Sequence, residues 1–102
     1  VFLGTGARSY MDPEALRDEC GVEVHIIKGY GDTAVAEHAF ALMWDAARQI
    51  SAMDAAVRAG EWPRTVGMQL TGKTVGLVGA GGIGAEMARL CNGIGMRVIA
   101  WN

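Results

Sequence analysis

Three glycines spaced Gly79-x-Gly81-x-x-Gly84 are the residues of this 102-residue chain best suited to holding a charged ligand, because they leave the backbone bare. Each has a separate reason to be glycine. Gly79 permits a tight turn, Gly81 lets a pyrophosphate approach the main chain with no Cβ in the way, and Gly84 lets a helix pack closely on a strand. N–H groups near Gly82 and Ile83 would then face the phosphates at the positive end of the helix dipole. The pattern alone is weak evidence. Its weight comes from context: the strand-like run Thr74–Val78 precedes it, a helical pattern follows, and a second strand, Arg97–Trp101, closes the unit within about 30 residues, the size of a βαβ unit. Asn102 ends that second strand, where proteins preferring NAD usually carry Asp or Glu for the adenosine ribose. A neutral amide can still hydrogen-bond the ribose and does not repel a 2′-phosphate, so NADP is as admissible as NAD.

A second phosphate motif is a decoy. Gly67-Met-Gln-Leu-Thr-Gly72-Lys73-Thr74 matches the P-loop of nucleoside triphosphatases letter by letter. A P-loop needs a buried strand before it and a helix after it. Here Glu61-Trp62-Pro63-Arg64 lies upstream and the strand-like Val75-Gly76-Leu77-Val78 downstream, so the reading is rejected. His25 and His38 read as packing or hydrogen-bonded residues rather than catalysts. Cys20 and Cys91 share no metal-ligand spacing with them and read as reduced core or near-core thiols of a cytosolic protein. Trp44 and Trp62 read as core or interface residues, and the methionines form no ligand box.

The elements that would carry these residues can be read in order. Val1–Leu3 is a short apolar strand entering the turn Gly4-Thr5-Gly6. Asp12 caps a helix with Pro13 at its first position, and Gly21 stops it after Cys20. Residues 22–27, rich in β-branched side chains, are expected as a strand. Asp32 or Thr33 is expected to cap a long helix over residues 34–50, whose polar residues Glu37, Asp45, Arg48 and Gln49, with Ala41 between, form a single stripe. Apolar over the rest of its circumference, this helix should be buried between two layers. Ser51-x-x-Asp54 resembles a capping box for a second helix that runs to Ala59 and ends at Gly60. After the glycine turn, Ile83, Met87, Leu90, Cys91 and Ile94 mark one helical face.

Composition narrows the function classes. Hydrophobic residues make up 51% of the chain, a globular proportion. Nine basic and eleven acidic residues give a net charge of −2 with no basic run, which favours neither nucleic acid nor an anionic membrane surface. Fifteen glycines accompany only two prolines, so the glycine excess belongs to tight turns rather than to a linker. There is no signal-like segment at the start and no apolar run of membrane-spanning length. The chain begins and ends inside apolar strand-like runs and reads as an excerpt of something longer.

The segments Thr33-Ala-Val-Ala-Glu37-His38, Arg58-Ala-Gly60-Glu-Trp62 and Leu70-Thr-Gly72-Lys73-Thr74-Val-Gly76-Leu-Val-Gly79-Ala-Gly81-Gly-Ile83-Gly84 together resemble the D-isomer-specific 2-hydroxyacid dehydrogenases. The resemblance implies an α/β protein with Rossmann-type doubly wound parallel sheets in two domains. Residues 1–31 would end the substrate domain, 32–70 would form the interdomain crossover helices and linker, and 71–102 would begin the dinucleotide-binding domain. It implies hydride transfer between NAD or NADP and a 2-oxo or D-2-hydroxy acid, in a cytoplasmic homodimer. The cofactor-binding candidates become Gly79, Gly81, Gly82, Ile83, Gly84, Asn102 and Asp32. The backbone of Thr5 and Gly6 resembles the family's loop for the substrate carboxylate. The following Ala7-Arg8-Ser9-Tyr10-Met11-Asp12 departs from the family's common Asp-Asn pair, so the substrate within the class stays open. The family's catalytic Arg, Glu and His fall beyond Asn102, and no catalytic residue is assigned within the chain. The alternative is a non-catalytic NAD(H) sensor or corepressor of the same fold.

Overall fold

The computed structural model describes residues 6–102, so the expected strand Val1–Leu3 and Thr5 lie outside the described residues. The chain divides into two compact units, one up to Tyr30 and one from Gly31 onward.

In the first unit a single 3-10 turn, Ala7–Ser9, leads to helix α1, Pro13–Cys20. The Asp12 carboxylate accepts the N–H groups of Glu14 at 3.0 Å and Ala15 at 3.2 Å, two of the donors that a helix start leaves unpaired. At the other end Gly21 takes φ 66°, and the Gly21 and Val22 N–H groups return to the Arg17 and Leu16 carbonyls. That left-handed residue with its back-bonds is how a helix ends on glycine. Among the described residues the expected strand over 22–27 is not formed, and only Ile26 carries an isolated bridge. β-branched side chains favour extended backbone, but a strand exists only where neighbours pair with its N–H and C=O groups. Val22, Ile26 and Ile27 are accordingly about half exposed. His25 lies in this segment, exposed, with Nε2 3.3 Å from a Glu23 carboxylate oxygen. Of the two expected roles, the contact with Glu23 fits a hydrogen-bonded residue, and packing is not seen. Cys20 is exposed as well, because α1 buries none of its residues.

The second unit is built on α2 (Asp32–Arg48), α3 (Ile50–Arg58), β1 (Thr74–Val78), α4 (Gly82–Gly93) and β2 (Arg97–Trp101). β1 and β2 pair in parallel, Thr74 opposite Arg97 and Val78 opposite Trp101, with α4 as the crossover. The P-loop decoy is disposed of by this geometry: no helix or strand precedes Thr74 between Arg58 and the motif's end, and a strand follows. The core joins Ala36 of α2, Leu70 of the loop, Met87 and Cys91 of α4, and Met96. Phe40, Met43, Trp44 and Ala47 extend the packed face of α2, with Trp44 edge-on to Phe40 at 6.3 Å. The expected α4 face is the one packed inward, Met87 and Cys91 buried and Ile83, Leu90 and Ile94 partly so.

Several expectations for α2 and α3 are corrected. Ala36 is the only buried residue of α2, and Val35 and Leu42 remain 47% and 56% exposed. Within this chain the helix packs one face on α4, and the rest of its apolar surface stays exposed among the described residues. His38 is exposed on it, and Trp62 is 80% exposed beyond α3, so neither is a core residue. Neither Asp32 nor Thr33 caps the helix: Gly31 holds the cap position and no side chain bonds the first turn. The capping box at Ser51 is not used either. Gln49 takes φ 55° between the two helices, and the Asp45 carboxylate, from the preceding helix, accepts both the N–H of Ser51 at 2.6 Å and its hydroxyl. These bonds to Ser51 lower the Asp45 pKa below its ordinary value. The second helix does end as expected, with Ala59 at the C-cap and Gly60 at φ 81°.

Candidate functional site

The loop from Val78 to Gly82 is fixed by the end of β2. Gly79 has φ 101°, a conformation that side chains other than hydrogen rarely allow, and its N–H bonds the Trp101 carbonyl at 2.7 Å. The next N–H, of Ala80, donates to the Asn102 carboxamide oxygen at 3.1 Å. Gly81 then turns the chain into α4 as its N-cap. No side chain caps α4, so the N–H groups of its first turn are available to an anion at the positive end of the helix dipole.

The glycines differ in what a side chain would meet. A Cβ on Gly84 would overlap the Gly79 carbonyl oxygen and stand 3.1 Å from its carbon, so Gly84 is required by the close pass of helix and strand. A Cβ on Gly81 would meet nothing within 4 Å. Among the described residues nothing fills that space, and bare backbone is what a pyrophosphate's approach needs. A Cβ on Gly82 would collide with the Asp32 carboxylate, so the first residue of α2 reaches across to the first residue of α4. Around these groups opens a cleft of about 490 Å³, lined among others by Asp32, Ala39, Gly79, Gly81, Ile83 and Met87. That volume lies in the range of small-molecule and cofactor sites. In the core, burial pushes the Cys91 thiol up from its usual pKa, which suits a packed side chain and not a nucleophile.

The family model of the D-isomer specific 2-hydroxyacid dehydrogenase NAD binding domain matches residues 40–102. The chain belongs to that family. The D-3-phosphoglycerate dehydrogenase of Archaeoglobus fulgidus is 40% identical over 84 residues, which cover 80% of this chain and 16% of that protein. The glyoxylate reductase of Pyrococcus furiosus is 41% identical over 78 residues, covering 68% of this chain and 23% of that one. The crystal structure of a dehydrogenase from Rhizobium meliloti superposes with a TM-score of 0.83 at 32% identity, covering 98% of this chain and 34% of that chain. The chain thus spans less than a quarter of the length of either curated relative.

In this 2-hydroxyacid dehydrogenase segment the candidate cofactor residues Asp32, Gly79, Gly81, Gly82, Ile83 and Gly84 meet in one cleft, within a single compact unit. Asn102 joins them through Ala80. Of the substrate candidates, Thr5 lies outside the described residues, and Gly6 is an exposed turn residue with φ 79°. Two features of the cleft go beyond the sequence reading. The Asn102 oxygen is spent on Ala80, which leaves the amide NH₂ as the group it can offer a ligand. The Asp32–Gly82 contact did have a signal: the fingerprint leaves position 82 free, yet it is glycine.

Proposed function

We infer that the intact protein transfers a hydride between NAD(P)(H) and a 2-oxo or D-2-hydroxy acid, and that this chain supplies its dinucleotide-binding turn. The observation carrying the reading is the open space over Gly81 at the uncapped start of α4, inside a segment matched to the family's NAD-binding domain. The first-turn N–H groups of α4 would bind the pyrophosphate, and Gly84 would keep them seated close against β1. Asn102 would hold the turn through Ala80 and donate its NH₂ to the adenosine ribose. The nicotinamide, when bound, supplies the hydride acceptor and donor. Residues 1–31 would belong to the substrate domain, where the Thr5 and Gly6 backbone N–H groups would hold the substrate carboxylate. Residues 32–70 would cross between domains, and 71–102 would open the cofactor domain. The Arg, Glu and His that position and protonate the substrate would come from sequence beyond Asn102, in a homodimer.

Loss of reduced-nicotinamide absorbance tests this directly. The intact protein, given NADH or NADPH with glyoxylate, hydroxypyruvate or pyruvate, is expected to turn over at least one pair. Tight NADH binding without turnover of any 2-oxo acid would replace the dehydrogenase by a sensor, and absence of binding would remove both.

A further inference from the structure

The cleft that should receive two phosphate charges contains a carboxylate. Asp32, at the start of α2, is the one charged side chain among the residues lining it. Its carboxylate lies so close to Gly82 that a Cβ there would fall on one oxygen and 3.3 Å from the other. Gly82 is the first residue of α4, so the carboxylate stands beside the N–H groups that the uncapped helix offers to an anion. No cation balances it within the cleft, and among the described residues no hydrogen bond or ion pair holds it.

We propose that Asp32 is an affinity-determining residue that competes with the cofactor pyrophosphate for the start of α4. The inference rests on the dinucleotide reading given above. Like charges brought together at this helix end repel, so binding requires the Asp32 side chain to rotate away or to remain as a standing opponent. The carboxylate also lies in the first turn of its own helix, where the dipole favours it in the free protein. Cofactor would therefore bind more weakly, and leave more readily, than the bare glycine turn allows.

The experiment compares the intact protein with its Asp32→Asn and Asp32→Ser variants. Both substitutes suit a helix start, so a thermal melt is expected to move by no more than a few degrees. Dissociation constants for NADH and for ADP-ribose are measured at low and high salt. Both variants should bind both ligands about tenfold more tightly at low salt, a factor between the aqueous and protein limits for charges about 4 Å apart. That gap should shrink at high salt, as a screened repulsion must. Unchanged affinity would overturn the proposal, and weaker binding would make Asp32 a ligand of the cofactor instead. A wild type that binds NADH but turns over no 2-oxo acid would sink the dehydrogenase reading and leave this inference intact. Failure of all three proteins to bind either ligand would overturn both.

Discussion

The sharpest test of the glycine turn applies one chemical change at two of its positions. Gly81→Ala and Gly84→Ala each add a single methyl group three residues apart, and the structure gives them opposite consequences. At 81 the backbone has φ −72° and ψ −163°, open to any residue, and the methyl meets nothing within 4 Å. Loss of unfolded-state freedom stabilises Gly→Ala by about 0.4–1 kcal/mol at such a site, and alanine's poorer capping offsets a similar amount. Stability should stay within about 0.5 kcal/mol of wild type. Cofactor affinity should not. The methyl would occupy the approach to the N–H groups, and losing one hydrogen bond to a charged phosphate costs about 1.5–3 kcal/mol, roughly ten- to a hundredfold in Kd. At 84, in the first turn of α4, helix propensity favours alanine by at most about 1 kcal/mol. The methyl overlaps the Gly79 carbonyl oxygen, however, and that atom is backbone, tied in place because Gly79 is bonded to Trp101. Forcing the two segments apart costs about 1–3 kcal/mol and more where the backbone must move, so the net change is a loss. Each kcal/mol lowers Tm by about 2–8 °C, depending on the size of the cooperative unit. Thermal melts without ligand and NADH titrations by fluorescence give both numbers. A Gly81→Ala protein with wild-type affinity would place the phosphates elsewhere, and a Gly84→Ala protein as stable as wild type would refute the close-packing argument.

Further outcomes follow from other contacts. If Asn102 meets the adenosine ribose as proposed, Asn102→Asp would set a charge against a 2′-phosphate, and should weaken NADPH binding by about tenfold or more while changing NADH binding less; an equal change for the two cofactors removes Asn102 from cofactor choice. The Asp45 pKa is lowered in the folded chain, so its contribution is complete above the ordinary carboxylate value of 3.8 and fades as pH falls through the lower folded value. Wild type should therefore melt above Asp45→Asn at neutral pH, with the difference closing in acid; a difference that persists below that range would exclude the charge as its source. Thiol labelling followed by peptide mapping should find exposed Cys20 modified quickly and buried Cys91 only in denaturant. Comparable labelling rates in native protein would contradict the packing of α4.

Local rules written into the sequence settled much of the second unit. The parallel pair β1 and β2, the crossover α4 and its inward face all lie where periodicity and glycine placement put them, because a βαβ unit is specified by contacts within some 30 residues. The Asp12 cap and the Gly21 stop of α1 are equally local, each made by a residue and its immediate neighbours. Tertiary structure decided the rest. Residues 22–27 have strand-forming side chains, yet pairing belongs to a partner and not to the segment, and only Ile26 bridges. The apolar pattern of α2 said how much surface could be buried, but which face packs on α4 within this chain came only from the fold. Ser51 lost its capping role to the Asp45 carboxylate, which only the bend at Gln49 brings within reach. The cleft itself shows the same division: three glycines announce a bare turn, whereas the carboxamide that steadies it and the carboxylate that guards it arrive from positions 22 residues downstream of Ala80 and 50 residues upstream of Gly82. Such separations carry no sequence period, and only the fold closes them.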